Sequence, residues 1–337
     1  MSSPISSSDD ASEWGRCLMA FLGTLAVSAS LVFALMIAVD PYDSGRFGLF
    51  GIEGVDDANP TTANASRARD PQFDSAVIGN STAQRLNPAE LSQATGTHFV
   101  QLAAPGADPR GQLVILDFFI RHHQRIRALV IVTDAPWCTH ELAPLPQNSF
   151  PFWLYGESSL AYAGRLFAKQ AVDRAFQRIM IGLSLRKRAA PDGFFNYEEE
   201  IYPPEKRAAI APQQESTPAF TGQVSDVFPV KVLLDDVIKK LPADVPLVLV
   251  VPPTFYTAVP RPGSIEAAER EACKAAFKPV VAGRPRSNFV DYRIDNALTR
   301  DPANFADPIH YRARIARKVQ EGIAASIRLG KTAQIDF

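Results

Sequence analysis

What this chain lacks most plainly is an excess of charge of either sign. Its 337 residues carry 35 Lys and Arg against 36 Asp and Glu, for a formal net charge of −1. That balance leaves no electrostatic footprint for nucleic acid and sets polyanions aside as the main partner. Cysteine is scarce too. Cys17, Cys138 and Cys273 form no CxxC pair, and no cluster of His, Cys, Asp or Glu has metal-ligand spacing. Neither a metal nor another cofactor is therefore expected. Cys17 falls in an apolar segment. Cys138 and Cys273 would be able to pair in an oxidising compartment, but two unrelated buried thiols is the reading we favour. Internal repeats are absent, and low complexity is confined to the termini.

Charge is also missing from Cys17 to Val39, which reads CLMAFLGTLAVSASLVFALMIAV. At roughly 1.5 Å per residue this run crosses a hydrocarbon core of about 30 Å, whereas a cleavable signal needs only about 7–15 apolar residues. An uncleaved transmembrane helix over 17–39 is expected. Arg16 on one side is matched by Arg46 on the other, so charge alone does not orient it. Residues 1–16 read as a disordered tail rich in Ser and acidic residues. Residues 40–72, dense in Gly, Pro, Asp and Asn, read as a linker to a domain over 73–337.

Within that domain strand and helix signals alternate, which predicts an α/β fold with one doubly wound, mostly parallel sheet. The strands are expected at Ser75–Ile78, Phe99–Leu102, Ala128–Thr133, Pro246–Val251 and Asn288–Asp291, all short apolar runs of the kind a buried parallel sheet requires. Helices are expected at Pro88–Ala94, Arg110–His123, Ser264–Phe277 and Tyr311–Arg328. An insertion over 138–241 separates the third and fourth strands. In it, Leu160–Leu183 has helical periodicity and should lie with one face on the main domain. Its basic end, Ser184–Ala190, is read as a solvated helix terminus rather than a phospholipid contact. The stretch PDGFFNYEEEIYPPEK that follows reads as an extended loop bordering a pocket.

Three features could carry chemistry. In DSAVIGNSTAQR (74–85) a strand stops at Gly79 and a polar turn exposes Ser81, at the sheet edge where ligands of open α/β folds bind. Near a helix N-terminus, the N–H of Ser81 could face a developing oxyanion. Gly106, after the second strand, could bring a backbone N–H close to a substrate. In FADPIHY, Asp307 and His310 are spaced so that the carboxylate can hold the imidazole in one tautomer while the other nitrogen faces Ser81. His122 and His123 end a helix, His98 precedes a strand and His140 sits in a surface loop, so these four are given no chemical role.

Gly-Asn-Ser early in the domain, a Gly after strand two and D-x-x-H before the last helix together resemble the SGNH (GDSL-like) hydrolase superfamily, over roughly 72–330 excluding the insertion. The resemblance implies a flavodoxin-like sheet, Ser81 as nucleophile, Gly106 as an oxyanion donor, and Asp307 and His310 as orienter and base. The chain also looks like membrane-anchored members from the bacterial polysaccharide O-acetylation systems, where a transmembrane helix precedes an SGNH domain. This implies a domain outside the cytoplasm, a cell-envelope carbohydrate or other acyl-ester substrate, and a membrane-bound acyl donor protein. The family's Gly-Asp-Ser is Gly79-Asn80-Ser81 here, and its donor Asn after strand three is Asp134, which when ionised accepts but does not donate. Asp134, Trp137 and Cys138 are the expected pocket lining, and Gly106, Asn80, Asp134 and Trp137 the expected oxyanion and substrate contacts.

Overall fold

Short runs rich in Val, Ile and Leu become the strands β1 (Ser75–Gly79), β2 (Phe99–Ala103), β3 (Ala128–Val132), β4 (Leu247–Val251) and β5 (Asn288–Asp291). Each lies within one residue of its expected bounds. Their order is β2-β1-β3-β4-β5 and every pairing is parallel. β1 to β4 are buried at every position, which is why their sequences show no polar alternation.

The computed structural model describes residues 7–56, 59–145, 150–196, 205 and 220–330. Its helices are α1 (Ser7–Val39), α2 (Pro60–Arg67), α3 (Pro88–Thr95), α4 (Pro109–His122), α5 (Phe152–Tyr155), α6 (Ser159–Ala163), α7 (Lys169–Gly182), α8 (Pro229–Ile238), α9 (Ile265–Val281), α10 (Ala297–Arg300) and α11 (Ala313–Leu329). By its contacts the chain divides into two units, residues 1–55 with 158–187 and residues 56–157 with 188–337.

In the larger unit, helices cover both faces of the sheet. α3 and α11 pack Leu91, Ile315, Val319 and Ile323 against Val77, Val130 and Val248, which are in register across β1, β3 and β4, and against Val250, two residues further along β4 and so on the same face. Burying each such side chain stabilises the fold by about 1.5–3 kcal/mol. α4, α8 and α9 pack together on the opposite face. Local signals place the starts: Asn87 accepts from Ala89 N–H and Glu90 N–H ahead of Pro88, and Asp108 accepts from Arg110 N–H ahead of Pro109. β2 is an edge strand, and its Gln101 N–H is taken by the carbonyl of Asp192, 2.8 Å away.

The chain runs outward from β1 to β2, then crosses back over β1 to β3. That reversal opens a crevice between the C-terminal ends of β1 and β3, the usual ligand position in open α/β sheets.

Several expectations are corrected. The linker over 40–72 is structured: α2 lies within it, and its Asn64 is buried and donates to the carbonyl of Ala103. Composition misled because the Asn and Thr residues there cap and pack a helix instead of loosening a loop. Residues 7–16, expected to be disordered, continue α1 toward the N-terminus, and 1–6 lie outside the described residues. The insertion over 138–241 is not one appendage, since α8 within it is the crossover helix between β3 and β4. Leu160–Leu183 is two helices, broken at Gly164–Ala168, and α7 packs on α1 in the smaller unit rather than on the sheet. Periodicity reports that a face is apolar, not which partner covers it. Most of the loop read as bordering a pocket, 197–204 and 206, also lies outside the described residues.

Candidate active site

At the end of β1 the chain folds sharply back. A Cβ on Gly79 would sit 2.7 Å from Ala83 Cβ and 3.0 Å from Val132 Cβ, so only glycine lets the following turn close on the strand ends. In that turn Asn80 Oδ1 accepts from the N–H and hydroxyl of Thr82, at 3.0 and 2.9 Å. Two buried side chains hold it from outside. Tyr311 Oη donates to Thr82 O at 2.7 Å, and Gln101 Nε2 donates to Leu86 O at 2.6 Å and Gln84 O at 3.2 Å. Ser81 is therefore carried on a braced turn. The helix expected behind it is only a single 3₁₀ turn, Ala83–Arg85, with α3 starting at Pro88. One turn aligns few peptide dipoles, so no helix-terminus field is assigned to Ser81.

Asp307 and His310 lie on a tight loop whose stem pairs Phe305 with Tyr311. Asp307 Oδ1 accepts from the N–H groups of Ile309 and His310, each at 2.9 Å, so Asp307 caps its own turn. It does not cap α11, whose first residue is Ala313. The N–H of Phe255, in the loop after β4, donates to Pro308 O at 2.9 Å and ties this loop down.

The two stretches meet. His310 Nδ1 lies 2.7 Å from Asp307 Oδ2, and His310 Nε2 lies 2.9 Å from Ser81 Oγ. With a carboxylate on Nδ1, the proton rests there and the Nε2 lone pair faces the serine hydroxyl. The imidazole keeps 14% of its surface exposed and the Asp307 side chain 32%, and Ser81 is half-buried. Burial pushes the Asp307 carboxyl upward, but the His310 ring and the two backbone N–H groups outweigh it and hold it below the ordinary carboxylate range.

The remaining expected site residues have other placements. Gly106 is exposed with φ +69° and open space where a Cβ would be, in a loop held to the end of β1 by the bond from Ala104 N–H to Gly79 O. Asn80 gives one N–H of its side-chain amide to Asp134 Oδ2, a bond that spans the crevice between β1 and β3. Trp137, expected as pocket lining, is fully buried; its indole N–H donates to Gln112 and its ring packs edge-on to Phe277. It is packed into the core and, with Cys138, lines the small cavity beside Asp134.

Asp134 Oδ1 is buried without a hydrogen-bond partner. Burial pushes this carboxyl up to about 6, against the pull of its own backbone N–H, the charge of Arg293 and the bond from Asn80. Arg293, whose Nε is also buried and unpartnered, and Arg270 line with it a cavity of about 20 Å³, room for one water-sized group. Burial and repulsion from Arg270 bring Arg293 down to about 10. Sequence reasoning missed both arginines. Only the position of Arg293, two residues past β5 at the same sheet edge, hinted at it.

Cys138 and Cys273 form a disulfide, which corrects the reading of two separate thiols. They are 135 positions apart in sequence, so spacing carried no signal, but the fold brings their Cα atoms to 5.5 Å, within bridging range. The bridge fastens the segment after Asp134 to α9. A larger cavity, about 490 Å³, opens at the other end of the sheet beside Thr95, Arg127 and Asp244. Those residues precede their strands, and none of the triad reaches it. No family model, curated protein or solved structure matches the chain.

Proposed function

We propose that the larger unit is an SGNH-type serine acyl-ester hydrolase or O-acyltransferase. The observation that carries this is the unbroken chain Asp307–His310–Ser81, with links of 2.7 and 2.9 Å, assembled from residues 229 positions apart. The strand order 2-1-3-4-5 is that of flavodoxin-like sheets and supports the reading, as does the position of Ser81 at the reversal of strand order.

In the reaction, Ser81 Oγ attacks the acyl carbonyl as its proton passes to His310 Nε2. The carbonyl π electrons move to oxygen, giving a tetrahedral oxyanion. On collapse the C–O bond to the leaving alcohol breaks and His310 returns the proton to that oxygen, leaving acyl-Ser81. A second hydroxyl then repeats the sequence in reverse. Water makes the protein an esterase, and a sugar hydroxyl makes it an O-acyltransferase. Asp307 stays ionised throughout and holds the imidazolium in place. The N–H of Gly106 is the oxyanion donor in this proposal.

Location narrows the substrate. α1 has an apolar stretch, Ser12–Val39, long enough to cross a membrane, and the Cys138–Cys273 disulfide favours an oxidising compartment. We therefore place the unit outside the cytoplasm, acting on acylated cell-envelope carbohydrate with a membrane-bound acyl donor protein as partner.

The test uses full-length protein in detergent, with a fluorophosphonate probe and p-nitrophenyl acetate. Ser81→Ala is expected to abolish both labelling and acetate release while leaving the melting temperature close to that of the parent. Labelling that is absent in the parent, or that survives the substitution, overturns the proposal. A second reading, a glycan-binding or scaffolding protein without turnover, is favoured by one observation: position 134 holds a carboxylate, which takes one N–H of the Asn80 amide and itself offers no amide donor. It predicts glycan binding that persists in Ser81→Ala, with no labelling of either protein.

A further inference from the structure

In the smaller unit α7 is built the wrong way round for a helix in water. Its buried face carries small residues, Ala171 and Ala175, together with Arg178, whose guanidinium donates to Val39 O at 2.6 Å and pairs with Asp43 Oδ1 at 3.1 Å. The large apolar side chains point outward instead. Val172, Phe176 and Leu183 recur at the spacing of one helix stripe, and Phe176 and Leu183 are each 62% exposed. Exposed Gln170 lies on a different face, whereas exposed Lys169, three residues before Val172 and seven before Phe176, sits at the edge of the stripe. The turn that leads into α7 continues the pattern, with Phe167 59% exposed beside exposed Arg165.

α1 says what covers this stripe. From Trp14 to Leu35 it is almost bare, a rise of about 32 Å at roughly 1.5 Å per residue, which matches a hydrocarbon core of about 30 Å. Burial begins at Met36, where the rest of the unit closes around the helix. Tyr162 and Arg178 reach α1 and its continuation at Val39–Asp43, above that boundary. Between them the chain dips: the ring of Phe167 stacks on Phe33 at 5.1 Å, inside the bare stretch. The outward stripe is thus continuous with the surface α1 would show to lipid. Aromatic rings with basic neighbours suit the boundary between acyl chains and phosphates.

We propose that the hairpin over residues 159–183 is a second membrane-contacting element, seated at the bilayer interface beside α1. Phe167, Val172 and Phe176 enter the acyl boundary, and Arg165 and Lys169 meet phospholipid phosphates. The proposal rests on α1 crossing the membrane and is independent of the chemistry at Ser81. It corrects the reading of this segment as a helix lying on the sheet domain.

Spin labels test it in full-length protein carrying Cys17→Ser, which removes the one cysteine outside the disulfide. Single labels are placed through Phe167→Cys, Phe176→Cys, Gln170→Cys and Leu25→Cys, and the protein is reconstituted in nanodiscs of phosphatidylcholine mixed with phosphatidylglycerol. The ratio of oxygen to nickel-chelate accessibility is expected to be several-fold higher at positions 167 and 176 than at 170, and highest at 25. If 167 and 176 match 170 while 25 remains lipid-like, the hairpin proposal falls and the anchor stands. If 25 is also water-like, the anchor falls with it. Shielding of 167 and 176 from both reagents shows a protein partner on the stripe and likewise overturns the proposal.

Discussion

Asp307 and Asp134 are carboxylates at the same sheet edge, and their surroundings push them in opposite directions. Asp307 is held below the ordinary range by the His310 ring and two N–H groups, once its own burial has been outweighed. Its contribution to stability is present above the unfolded value near 3.8 and is lost as pH falls through the lower folded value. Asp307→Asn should keep the fold but present an N–H to Nδ1, favour the wrong tautomer, and slow acylation of Ser81 on the order of 10⁴-fold. The stopped-flow burst of p-nitrophenolate would measure it. Asp134 is the reverse case, raised by burial to about 6. Below about pH 4 it is protonated folded or unfolded; as pH rises through 6 the folded state must hold a charge the unfolded chain holds more easily, and stability falls. Asp134→Asn keeps an acceptor for the Asn80 amide. The variant should therefore melt at higher temperature at pH 8, by the equivalent of about 2–3 kcal/mol, with the gain vanishing toward pH 4. Equal melting at both pH values would show that Asp134 is not destabilised by burial.

At the scale of elements, the site depends on two turns rather than on helices. The turn after β1 closes only because Gly79 has no side chain, and Tyr311 and Gln101 brace it from α11's leading loop and from β2. Gly79→Ala would force Ala83 and Val132 apart and shift Ser81 relative to His310. A displacement near 1 Å can lower reactivity about 10²-fold, so fluorophosphonate labelling should slow by that order while strand content by circular dichroism is retained. Unchanged labelling would mean the turn absorbs a methyl group without moving the serine. The loop bearing Asp307 and His310 is braced separately, by the Phe305–Tyr311 bridge and the Phe255 N–H.

For the whole molecule the disulfide is the longest covalent tie, joining the segment beside Asp134 to α9 across 135 positions. Replacing Cys138 and Cys273 together by Ser should lower the unfolding free energy by up to about 4 kcal/mol, read as a shift in the urea midpoint. Reductant should reproduce the shift in the parent and leave the double variant unmoved. The sequence by itself determined the strands, the apolar run of α1 and the residue types at 81, 307 and 310. Those are local properties: a buried parallel strand must be apolar throughout, and a membrane-spanning helix must lack charge. Tertiary structure alone decided the rest. The Cys138–Cys273 pairing, the bond from Asn80 to Asp134 and the arginines around it join residues with no local signal, because closeness there is set by strand order. Burial, which raised Asp134 and sealed Trp137 into the core, is likewise a property of the packed whole. The packing of α7 on α1 was hidden for the same reason: periodicity marks an apolar face, and only the assembled unit shows whether protein covers it.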